Sequence, residues 1–166
     1  MAMASDLLGA LGGPAFLVNA TGRTVFATAQ YGRPSSVVRK VRGWKCRDVP
    51  GLMSEFGAAF QFFEGFGENW HALEECLCYL DEWLPGEGYV VVVERAEELL
   101  SDAPDELRWF VAVMNDVAGW WSQPVVDNDR FNRPARPFQV VLELSAGVQR
   151  TRRFEQAGAV LSKLTE

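Results

Sequence analysis

The chain is poor in histidine, cysteine and positive charge. Its 166 residues include one histidine, His71, and three cysteines, Cys46, Cys76 and Cys78. A lone histidine seldom carries catalysis. Cys76-x-Cys78 is tighter than the usual zinc-ligand spacing and no second Cys/His pair lies elsewhere, so neither a metal nor another cofactor is expected. An odd set of thiols, two of them close together, fits a reducing interior better than a disulfide framework, and a cytoplasmic location is expected. The first residues lack the basic and apolar regions of a signal peptide, and no apolar run reaches roughly 18 residues, so no membrane association is expected. A glycine-rich phosphate loop, Gly-x-Ser-x-Gly and the metalloprotease helix are all missing. Lys and Arg number 16 against 22 Asp and Glu, a net charge of −6. Nucleic-acid binders carry a basic footprint that neutralises phosphates, so direct nucleic-acid binding is not expected either.

Acid is what the chain has, and it is concentrated. Twelve carboxylates lie between Glu68 and Glu106 against one base, Arg95, a local net of −11. Such a compact negative surface suits a positively charged partner. Seven bases fall between Arg23 and Arg47, which makes the chain electrically two-ended. Hydrophobic residues form 48 % of the sequence, enough to bury a core, so the acidity does not imply disorder.

Length points to one main domain with extensions. Residues 1–34 read as an N-terminal extension, with β-prone runs at 15–19 and 23–28 around Ala-Thr-Gly predicting a hairpin, and Tyr31-Gly32-Arg33-Pro34 ending it. Residues 36–41 read as a strand. Asp48 is placed to cap a helix over 49–62, with Pro50 in its first turn and Leu52, Phe56, Ala59 and Phe63 at helical spacing; Gly65 and Gly67 are expected to end it. Asn69 caps a second helix, whose inward stripe is Trp70, Leu73, Leu77 and Leu80, and Pro85-Gly86 stops it. Residues 89–93 show no polar alternation, the pattern of a strand covered on both faces. A third helix is expected at 105–121, on Leu107, Phe110, Val111, Met114 and Val117. The polar stretch 122–137 is long for a compact domain and is either a functional loop or structure that periodicity does not reveal. A third buried strand is expected at 138–144 and a terminal helix at 149–164. Short β-branched strands separated by helices predict an α/β fold, a small parallel sheet with right-handed crossovers and helices around it.

The run Gly-Phe-Gly-Glu-Asn-Trp-His-Ala-Leu-Glu-Glu-Cys-Leu at 65–77, followed by Val-Val-Val-Glu-Arg at 91–95, resembles the barstar family of intracellular ribonuclease inhibitors. The likeness runs over about residues 36–146. It implies a barstar-like domain at 35–147, built on a three-stranded parallel sheet flanked by helices, with a C-terminal helical extension at 148–166. It also implies that the second helix and the turn before it plug the active site of a basic, extracellular-type ribonuclease or related nuclease toxin, as in an immunity protein. On that likeness Phe66, Asn69, Trp70, His71, Glu74, Glu75 and Cys78 face the partner, Leu73, Cys76 and Leu77 hold the helix to the core, and Asp116 supplies a carboxylate from the third helix. His71 stands where the family has its first inhibitory aspartate, Glu75 where it has the second, and Gly65 where a tyrosine is common.

The chemistry is independent of the likeness. A ribonuclease cleft holds phosphate with cationic side chains, and a carboxylate on a rigid helix takes a phosphate's place. Helical spacing puts His71, Glu75 and Glu82 on one face with Glu74, Cys78 and Asp81 beside them, at a cost of a few tenths of a kcal/mol per close like-charge pair. His71 favours a different use of the same helix, a non-inhibitory interaction or regulatory module docking another basic protein. An enzyme working through Glu74 or Glu75 with His71 would need a pocket, and this face reads as convex.

Overall fold

Strands β1 (Phe16–Asn19), β2 (Val37–Arg42), β3 (Tyr89–Glu94), β4 (Phe138–Glu143) and β5 (Leu161–Lys163) form one sheet in the spatial order β2-β3-β4-β1-β5, every neighbouring pair parallel. The structure is a computed structural model and describes residues 10–21, 35–127, 132–145, 148 and 150–164. Helices α1 (Val49–Phe60), α2 (Trp70–Cys78), α3 (Leu107–Trp121) and α4 (Arg152–Gln156) complete the fold. Among the described residues, no helix is long and apolar enough to cross a membrane.

β3 and β4 are valine-rich and buried along five of their six residues each. Alternate side chains serve two faces. Tyr89, Val91, Val93, Val140 and Leu142 join the main core with Leu52, Phe56 and Phe60 of α1, Leu73 and Leu77 of α2, and Phe110, Met114 and Trp121 of α3. Val90, Val92 and Val141 point the other way and pack with Leu17, Val38 and Leu164. Burial on both sides removes the polar alternation, as a central parallel strand requires.

The sheet has five strands where three were expected. β1 is not the limb of a hairpin: all four of its residues are buried, and its two hydrogen-bonding edges are taken by parallel neighbours, β4 on one side and β5 on the other. The second expected limb, 23–28, lies outside the described residues. The terminal helix expected over 149–164 is only α4; Gly158, at φ +102°, breaks it, and the chain continues into the edge strand β5. The polar stretch 122–137 is irregular, with a single antiparallel bridge, Val125 to Arg133, among its described residues.

Local signals near the site hold in part: α2 ends at Cys78, well before Pro85-Gly86, and Leu80–Glu82 follow as a separate 3-10 turn. Asp48 caps α1, its Oδ1 accepting the Gly51 N–H at 2.8 Å. The end of α1 differs from expectation: Gln61, not a glycine, takes the left-handed conformation at φ 56°. The turn that follows is pinned by rings instead. Phe62 packs edge-on against Phe66 at 4.8 Å and against Trp83 at 6.2 Å, and the Trp83 indole N–H donates to the Phe60 carbonyl at 2.8 Å.

Candidate protein-binding site

Alone in water, a helix of nine residues would be marginal. In the fold, α2 is held at both ends. At its N-terminus Asn69 adopts extended backbone and its Oδ1 accepts the Ala72 N–H at 2.9 Å, while its Nδ2 donates to the Gly67 carbonyl at 3.1 Å. The Trp70 indole N–H donates to Glu106 Oε2 at 2.8 Å, tying the first turn to the segment that leads into α3. At the C-terminus two carbonyls that a helix leaves without intrahelical donors are satisfied from α3: Trp121 donates to Leu77 O and Trp120 to Cys78 O, both at 2.9 Å. Leu73, Cys76 and Leu77 are buried beneath.

This anchoring fixes the outer face. His71 and Glu75, one turn apart, are exposed; Glu74 and Cys78 are half-buried beside them, and Asp116 is exposed on α3. The Cys78 thiol is pushed up to about 12, by burial first and then by the negative charges of Glu74 and Asp116, with Arg133 acting in the opposite sense. The structure therefore brings Glu74, Cys78 and Asp116 together across two helices. Phe66, Asn69 and Trp70 stand at the other end of α2. Phe66 is half-buried against Phe62, and the polar groups of Asn69 and Trp70 are engaged in holding the helix.

The acidic stretch divides into two parts. Parallel pairing sets Arg42 opposite Glu94, so the bases at and after β2 meet the acids at and after β3. Lys40 pairs with Glu94 at 3.2 Å, Arg47 with Glu98 at 3.3 Å and Asp102 at 2.8 Å, and Arg95 with Glu98 at 2.8 Å. The two ends of the charge asymmetry thus partly neutralise each other. Glu68, Glu74, Glu75, Glu82 and Asp116 form no ion pair among the described residues, and that unneutralised set surrounds α2. No group of three or more His, Cys, Asp or Glu among the described residues is placed to hold a metal.

Sequence reasoning passed over a groove of about 620 Å³ next to the end of α2, lined by Cys78, Tyr79, Trp120 and Arg133 with Asp81, Glu82 and Asp127 around it. Arg133 is only 8 % exposed. Its guanidinium lies 4.2 Å from the Trp121 ring centroid and 5.5 Å from that of Trp120, donating to the Gln123, Pro134 and Trp120 carbonyls. Burial pushes its pKa down. The signals available for this were the unusual length of the 122–137 stretch and the adjacent Trp120-Trp121 pair.

Fold and site together define an α/β protein that presents a braced, negatively charged helix. Residues 37–143 match the family model Barstar (barnase inhibitor), and the chain belongs to that family. The match begins with the first residue of β2 and ends with the last of β4, so it contains three of the five strands. No curated protein matches the chain.

Proposed function

We propose that this chain inhibits a barnase-type ribonuclease, or a related basic nuclease, by placing α2 and the turn before it across the enzyme's active site. It performs no chemistry of its own. One observation carries the reading: a helix anchored at both ends carries exposed Glu75 and half-buried Glu74, with Asp116 of α3 beside Cys78, and none of the three has an ion-pair partner among the described residues. Fixed carboxylates on such a support match a pocket built to hold phosphate, and little conformational entropy is lost when they dock. Glu75 supplies the central anion. Exposed His71 contributes shape and hydrogen bonding where the resemblance leads one to expect a further carboxylate. Asn69 and Trp70 support the face from within, and Phe66 shapes the preceding turn. In the cell this inhibitor would protect its producer from a nuclease before export, or from one delivered by a competitor. Residues 35–147 form the inhibitory unit, and the flanking segments extend its sheet.

The test is inhibition of a panel of basic microbial ribonucleases by the purified chain, with Glu75→Lys alongside. Affinity is expected to fall about tenfold or more in Glu75→Lys, a loss of at least about 1.4 kcal/mol, and association to slow as salt rises. Glu87→Lys, the same charge change at an exposed residue outside the face, should be far milder. Equal effects of the two substitutions would reduce the interaction to net charge. Tight binding of a basic protein without loss of its nuclease activity would favour the docking-module reading that His71 raises.

A further inference from the structure

Beyond the last turn of α2, Tyr79 and Trp120 stand side by side, ring centroids 5.9 Å apart and planes tilted by 57°. Both are open to solvent, Tyr79 by 45 % and Trp120 by 39 %. Isolated exposed aromatics need no explanation, but these two line the 620 Å³ groove together with Asp81, Glu82 and Asp127. Among the described residues the one cation in that lining is Arg133, and three of its hydrogen bonds run to backbone carbonyls. Arg136 reaches Asp81 at 3.9 Å, the far limit of an ion pair, while Glu82 and Asp127 have no ion-pair partner among the described residues. Trp120 is held in place by its bond to the Cys78 carbonyl. The described walls are therefore aromatic, their charge is mostly acidic, and one of the two rings is positioned by a hydrogen bond.

We propose that this groove is a receptor for an arginine side chain of the basic partner, continuous with the acidic face of α2. The proposal deepens the inhibitor reading and rests on it for the partner's identity. Continuity comes through Cys78, which lines the groove and is flanked by Glu74 and Asp116. Charge complementarity selects a cation, because an apolar guest would take Glu82 and Asp127 out of water with nothing to bond them. Shape selects arginine over lysine. A guanidinium stacks flat on an aromatic ring while its in-plane donors reach carboxylates at the edge, whereas an ammonium has no plane to stack. A partner bound at α2 alone would be held by charge; an arginine seated between Tyr79, Trp120 and Glu82 would also fix its orientation.

The probe is Nα-acetylarginine methylamide, titrated into the ¹⁵N-labelled full chain beside its lysine and uncharged citrulline counterparts, with indole and amide resonances followed. Saturable shifts are expected at the Trp120 indole and the Tyr79 amide, strongest with arginine, weaker with lysine and absent with citrulline. Tyr79→Leu and Glu82→Gln should each weaken arginine binding about two- to fivefold, the size of one exposed cation–π or ion-pair contact, with the remaining spectrum unchanged. Shifts that never saturate, that spread evenly over the acidic surface, or that saturate with unchanged affinity in both variants would overturn the proposal, as would no shift up to the solubility limit. The ribonuclease assay separates the two readings. Full inhibition by Tyr79→Leu and Glu82→Gln at unchanged affinity refutes the arginine receptor and leaves α2 as the inhibitor. Arginine binding at the groove with no ribonuclease inhibited refutes the inhibitor reading and leaves the receptor.

Discussion

Replacing Asn69 by alanine removes two hydrogen bonds at once, one capping α2 and one closing the turn before it. An N-cap replaced by alanine costs about 1 kcal/mol, within a range of roughly 0.5–2. The exposed bond from Nδ2 to Gly67 O adds about 0.5 kcal/mol. The expected loss is thus about 1–2 kcal/mol, or a fall in Tm of roughly 3–6 °C for a chain of this size. Asn69→Asp keeps the capping acceptor and places a negative charge at the positive end of the helix, a gain of about 0.3–1 kcal/mol that offsets the lost donor. That variant should therefore lie within about 0.5 kcal/mol of the parent. Urea unfolding followed by tryptophan fluorescence and far-ultraviolet circular dichroism measures both. An alanine variant as stable as the parent, or an aspartate variant as weak as alanine, would show that the cap does not hold α2. Asn69→Asp also isolates the residue's role in binding: unchanged affinity with the helix intact would make Asn69 a positioning residue, not a contact.

The Cys78 thiol should be sluggish although half-exposed. With its pKa pushed up from 9.0 to about 12, thiolate near neutral pH is about a thousandfold rarer, and the higher nucleophilicity of such a thiolate recovers only part of this, leaving a slowing of about thirtyfold or more towards an aromatic disulfide reagent; reaction at the unfolded-chain rate would contradict the site's electrostatics. Asp102 is held below the usual carboxylate range by the hydrogen bond from Arg47 and its charge. A depressed folded pKa contributes stability above the unfolded value, near 3.8, that is lost as pH falls through the folded one. The stability difference between the parent and Arg47→Met should accordingly be present at neutral pH and shrink below about pH 4 in pH-resolved urea melts; a difference that grew on acidification would reverse the sign of the argument.

The features legible in the sequence act over a few residues. Asp48 and Asn69 bond to N–H groups three positions on, and the unbroken valines of β3 report burial directly. Those that were not legible depend on distant partners. Phe16–Asn19 looks like any short β-prone run; only β4 and β5, far along the chain, make it an interior strand. Gln61 ends α1 in a conformation that glycine adopts more cheaply, because Phe62, Phe66 and Trp83 lock the turn beyond it. The twelve carboxylates are legible as a count, but not their pairing: the β2–β3 register sets Lys40 and Arg47 against Glu94, Glu98 and Asp102. The site divides the same way. The α2 face followed from helical spacing and a family resemblance, whereas the groove needs Trp120 and Arg133 brought to Tyr79 by tertiary packing.

The place of β1 has a consequence for how the molecule is made. It is translated before every other described strand, yet both its neighbours are synthesised after α1, α2 and α3. Until β4 and β5 emerge from the ribosome, Phe16, Leu17 and Val18 have no neighbouring strand to pair with, and such long-range pairing is slow to form and prone to aggregation in the interval. A nascent chain stopped after α3 would carry the whole of α2 but an unfinished sheet, so completion of the scaffold, not of the helix, sets the moment at which the acidic face stands on a finished fold.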